Sequence, residues 1–73
     1  MSRLPQVSGS DVVRAVQKVG FAIRRQHGSH IILRRDAPFA QTVVPDHRQI
    51  DRGTLRAILR QTDLSGDEFT KLL

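Results

Sequence analysis

The spacing of apolar positions along this chain switches from helical to alternating and back again. Val12, Ala15, Val16 and Val19, with Arg14, Gln17 and Lys18 between them, form the stripe of an amphipathic helix. Ser8 serves as its N-cap, Asp11 three residues on returns the bond, and Gly20 closes it as a left-handed C-cap. From Gly20 to Arg35 the period falls to two. Phe21 and Ile23 alternate with Ala22 and Arg24, and Ile31 and Leu33 alternate with His30, Ile32 and Arg34. The pattern predicts a hairpin whose three-residue loop, Gln26-His27-Gly28, carries glycine at the left-handed position of a bulged turn. In that register Ile23 faces Ile31 and Phe21 faces Leu33 on the core side. Arg24 and His30 then pair on the wet side.

Asp36-Ala37-Pro38-Phe39 interrupts the second strand, because proline supplies no ladder donor. Gln41 to Val44 reads as a short third strand ended by Pro45. Asp46 to Asp51 is a polar loop carrying His47 and Arg48. Asp51 is placed to cap a second helix with Thr54 in its first turn. In that helix Leu55, Ile58 and Leu59 make the buried stripe, while Arg52, Arg56 and Arg60 line another face. Ser65 and Glu68 form a second capping box for a last short helix bearing Phe69, Leu72 and Leu73. The expected fold is α+β, one domain over residues 1–73, with helices on one face of a three-stranded antiparallel sheet.

Composition narrows the partners. With 73 residues and no cysteine the chain offers a small core, without disulfides or thiolate metal ligands. No signal-like or long apolar segment is read, so a soluble cytoplasmic protein is expected. The net charge is +5, and of the basic residues only Lys18 and Lys71 are not arginine. Arginine's planar fork suits phosphate, and equally the carboxylates of an acidic protein. Tyrosine and tryptophan are absent and the three phenylalanines read as mostly buried, which argues against a reader that stacks unpaired bases.

At Gly20-Phe21, Gly28-Ser29-His30, Val44-Pro45-Asp46-His47 and the run from Arg52 to Gln61, the chain resembles the HicA toxins of bacterial and archaeal toxin–antitoxin systems. The resemblance extends from about Ser10 to the C-terminus, and its strength lies in the order and spacing of motifs that are individually weak. It implies a fold like a double-stranded-RNA-binding domain. It also implies a ribonuclease that cuts messenger RNA (an mRNA interferase), held inactive by a HicB antitoxin. The family's catalytic histidine falls on His30. Ile31, where many members carry a second polar or aromatic residue, leaves that match intact.

Histidine is the side chain whose ordinary pKa suits proton transfer near neutral pH, which is what cleavage beside a ribose 2′-OH requires. Arg24 and Arg34, beside His30 in the expected register, would neutralise charge on the reacting phosphate. Gly28 and Ser29 shape the turn and offer amides and a hydroxyl to it. The stripe of Arg52, Arg56 and Arg60 is a candidate contact for RNA phosphates or for antitoxin carboxylates. His47 reads as a loop residue, since nothing in the sequence brings its loop next to His30. His27, His30 and His47 lack the spacing of a zinc site, so no metal or other cofactor is expected. Two rival functions share these features: a non-catalytic RNA-binding module of the same fold, and an adaptor for an acidic protein.

Overall fold

The computed structural model describes residues 3–73. The chain forms α1 (Gly9–Gln17), β1 (Ala22–His27), β2 (His30–Asp36), β3 (Phe39–Pro45), α2 (Arg52–Thr62) and α3 (Gly66–Leu72). The three strands make one antiparallel sheet in the order β1-β2-β3, and α1 and α2 pack against β3. This is the expected α+β arrangement, of the double-stranded-RNA-binding-domain kind.

Each helix starts where its cap predicts. The Ser8 amide donates to the Asp11 carboxylate at 3.0 Å and the Asp11 amide to the Ser8 hydroxyl at 3.1 Å. Ser65 and Glu68 repeat the box at 2.8 and 3.0 Å. Asp51 accepts from the Thr54 amide at 3.0 Å and from its hydroxyl. Helix α1 ends at Gln17, three residues before Gly20, and the chain turns through Lys18–Gly20. There the Phe21 amide reaches the Val16 carbonyl and the Gly20 amide that of Gln17, both at 3.2 Å, with Gly20 at φ +97°. The glycine therefore has the left-handed conformation expected of it. Helix α2 closes in the same way on Asp63, at φ 58°.

The core lies between the helices and one face of the sheet. Val12, Val16, Phe21, Leu33, Val44, Leu55, Ile58 and Phe69 are almost wholly excluded from water. Each fully buried side chain of this type contributes roughly 1.5–3 kcal/mol of transfer free energy. Thr42, also buried on this face, donates its hydroxyl to the Gln61 side chain of α2 at 2.6 Å. Arg35 sets its guanidinium over the Phe21 ring, 4.7 Å from the centroid, and donates to the Pro38 carbonyl at 3.0 Å.

The hairpin differs from its expected register. The turn is Gly28-Ser29 alone, with Gly28 at φ +56°, and His27 pairs directly with His30. Ile23 pairs with Leu33, not with Ile31, and Arg24 does not pair with His30. Between Ile23 and Arg25 the ladder carries a bulge. Its cause is the turn. A two-residue turn with no extra residue would set Arg24 opposite Leu33 on the buried face, at the cost of burying a guanidinium. The bulge removes Arg24 from that position.

Two apolar residues also depart from expectation. Ile23 is 49% exposed, because β1 is an edge strand that overhangs the helices, and all its residues are exposed. Phe39 is 68% exposed at the start of β3, so only Phe21 and Phe69 are buried phenylalanines. The third strand itself is longer than expected. Phe39 and Pro45 both join the ladder, opposite Asp36 and His30, and the connection shrinks to Ala37-Pro38.

Candidate nucleic-acid interface and catalytic histidine

The face of the sheet turned away from the helices is open. Because β2 alternates, burying Ile31 and Leu33 places His30, Ile32 and Arg34 on this open face. The register arranges the face in rows. His27, His30 and Pro45 form one row; Arg25, Ile32 and Val43 the next; Ala22, Arg34 and Gln41 the third. His30 is exposed, as expected.

The bulge adds charge to this face. Arg24 is the extra residue between Ile23, opposite Leu33, and Arg25, opposite Ile32, and Arg24 and Arg25 line a shallow pocket of about 280 Å³ with Ile32, Arg34 and Gln41. Arg25 was not singled out by the sequence pattern, since strict alternation assigns it to the core side. The bulge brings it outward beside Arg24, and the only signal for it is an arginine pair within an otherwise alternating strand. Arg34 is not a free cation: its Nε lies 2.9 Å from the Asp36 carboxylate. Arg24 and Arg34 thus share a surface with His30 but sit beyond the Ile32 row, not beside the imidazole.

The turn is braced from both sides. The Gln26 side-chain amide donates to the Gly28 carbonyl at 2.9 Å. The Asp46 amide donates to the Ser29 carbonyl at 2.6 Å, so the loop after β3 lies against the hairpin turn. This corrects the expectation for His47, whose loop is beside the His30 row after all. The His47 carbonyl also accepts the Gly9 amide at 2.8 Å, tying the N-terminus of α1 to the same corner. A Cβ at Gly9 would overlap the Pro45 carbonyl, so this close approach depends on a residue without a side chain.

Arg52, Arg56 and Arg60 belong to the other layer. They run along α2, whose buried side packs on β3, and they border a groove of about 980 Å³ with Leu4, Leu59 and Leu64 in its lining. The stripe and His30 are therefore on opposite sides of the sheet. Among the described residues, no group of three or more His, Asp or Glu side chains comes together to hold a metal ion.

Electrostatics at the caps is well defined. The Ser8 amide, then its hydroxyl, hold the Asp11 carboxyl below its ordinary value. The Thr54 hydroxyl and amide do the same for Asp51, and the Ser65 amide and hydroxyl for Glu68.

Residues 9–64 match the model of the family described as the HicA toxin of bacterial toxin-antitoxin. The chain belongs to the HicA toxin family. It is accordingly a toxin of the kind that works in toxin–antitoxin systems, paired with an antitoxin. The matched span holds α1, the whole sheet, the His30 corner and α2, and leaves out α3. No curated relative matches the chain. Among the described residues no helix is long and apolar enough to cross a membrane.

Proposed function

We propose that this HicA toxin is a cytoplasmic endoribonuclease that cuts messenger RNA without a metal, His30 acting as the general base, and that a HicB-type antitoxin neutralises it. The observation that carries the reading is the exposed His30 beside a tight turn, on an open sheet face that also carries Arg24, Arg25 and Arg34. His30 takes the proton of a ribose 2′-OH, and the oxygen attacks the neighbouring phosphorus. Positioned proton transfer of this kind is worth typically ~10²–10⁴-fold. The Gly28 and Ser29 turn, with Arg24, Arg25 and Arg34, holds the phosphate backbone, the arginines countering its charge. With no phenylalanine, tyrosine or tryptophan in the rows around His30, contacts run to backbone more than to bases.

The antitoxin is assigned to both layers. Covering His30 excludes substrate. The α2 groove, with leucines inside and Arg52, Arg56 and Arg60 along it, suits an acidic segment with an apolar anchor better than it suits RNA.

The test is His30→Ala in purified protein, with cleavage of RNA assayed in the presence of EDTA. The expected result is loss of cleavage by at least ~10²-fold with the fold kept, since an exposed substitution shifts stability within about ±0.5 kcal/mol. Wild-type protein that binds RNA without cutting it would make this a binding module. Wild-type cleavage lost in EDTA and restored by one transition metal would overturn the metal-free mechanism.

A further inference from the structure

The pairing of His27 with His30 has a chemical consequence. In an antiparallel ladder, directly opposed residues send their side chains to the same face, with Cβ atoms about 4.5–5.5 Å apart. The Gly28-Ser29 turn makes His27 and His30 such a pair, at the end of the open face. Both are exposed. The Gln26 bond to the Gly28 carbonyl and the Asp46 bond to the Ser29 carbonyl hold the turn that sets their spacing. Two imidazoles this close can bracket one phosphate, and Arg25 stands in the adjoining row.

Cleavage of RNA needs two proton transfers, and a single base supplies one. We infer that His27 is the second proton carrier, the general acid that completes the reaction begun by His30. This rests on the ribonuclease reading above and extends it. In the step, His30 accepts the 2′-OH proton and the 2′-oxygen forms its bond to phosphorus. The bond from phosphorus to the 5′-oxygen breaks, and that oxygen takes the proton of the His27 imidazolium. The products are a 2′,3′-cyclic phosphate and a 5′-hydroxyl end. His30 leaves the step protonated and His27 neutral, and exchange with water restores both. No oxidant, metal or co-reactant enters.

A substrate with a weakly basic leaving group separates this role from a structural one. Two matched short RNAs are compared in single-turnover cleavage, one with the ordinary 5′-oxygen and one with sulfur in its place at the scissile bond. A thiolate departs without a proton. His27→Ala is expected to slow the oxygen substrate by at least ~10²-fold and to cut the sulfur substrate within about tenfold of wild type. His30→Ala is expected to be slow on both. His27→Ala cutting the oxygen substrate near the wild-type rate overturns the inference, and so does an equal loss on both substrates. In either case the ribonuclease reading stands, provided wild type cuts and His30→Ala does not. A wild-type protein inactive on both RNAs overturns the two together.

Discussion

At the scale of single residues, the most consequential is the extra one in β1. Inserting Arg24 between Ile23 and Arg25 turns an alternating strand into one that shows two guanidinium groups to solvent on the face that carries His30. Replacing both by Gln removes two candidate phosphate contacts. RNA binding is then expected to weaken, and the plot of log affinity against log salt to flatten by up to roughly 1.4, since each contact to a single strand contributes about 0.7. Binding measured across a salt series checks this, and an unchanged slope would return the pair to an ordinary solvated edge. Gly9 is decisive in a different way. Its amide binds the His47 carbonyl, and a methyl group there would meet the Pro45 carbonyl. Gly9→Ala should therefore cost about 1–3 kcal/mol, read as a lower midpoint in chemical denaturation, because backbone rather than a flexible side chain must move.

At the scale of elements, the helices owe their starting points to Ser8, Asp51 and Ser65, and each cap includes one carboxylate: Asp11 with Ser8, Asp51 itself, and Glu68 with Ser65. Hydrogen bonding in the folded state lowers the carboxyl pKa of Asp11, Asp51 and Glu68 below their ordinary values of 3.8, 3.8 and 4.5. At acid pH the unfolded chain thus binds more protons than the folded one. The caps' contribution is fully present above the ordinary carboxyl range and is lost as pH falls through and below it. Denaturation midpoints recorded from neutral pH down to pH 2 should drop through this window. In the Asp11→Asn, Asp51→Asn, Glu68→Gln variant the drop should be shallower, and the variant less stable at neutral pH. An identical acid slope in the variant would remove the caps as its source.

At the scale of the whole molecule, two basic surfaces lie on opposite layers. The open sheet face carries His30 and the bulge arginines. The helix layer carries Arg52, Arg56 and Arg60 around the groove. The separation divides their expected effects. Replacing Arg52, Arg56 and Arg60 together by Gln should slow association with the antitoxin several-fold at low salt, since charge complementarity acts chiefly on the on-rate. RNA cleavage by the free toxin should change little, because the stripe does not share the surface of His30. A stopped-flow on-rate unchanged from wild type, or a cleavage rate that falls with it, would contradict this division.

Much of this architecture was legible in the residues alone. The apolar stripes of Val12, Ala15 and Val16 and of Leu55, Ile58 and Leu59, the three caps and the inward facing of Ile31 and Leu33 all follow from local rules of period and hydrogen bonding. So did the exposure of His30, because burying its neighbours decides its face. The GSH, VPDH and arginine-helix motifs carried the family. What local rules left undetermined was register. Loop lengths of two or three residues are both open to Gln26-His27-Gly28-Ser29, and both keep Arg24 out of the core, the longer by simple alternation and the shorter by a bulge. Local pattern therefore does not separate them, and only the assembled sheet shows the short turn with its bulge. That choice moved His27 opposite His30 and brought Arg25 to the open face. Tertiary contact also decided the place of the His47 loop, through backbone bonds from Asp46 to Ser29 and from Gly9 to His47. Periodicity reports which side of an element is dry. It does not report which elements meet, because that is fixed by the free energy of the whole core and not by any stretch of chain.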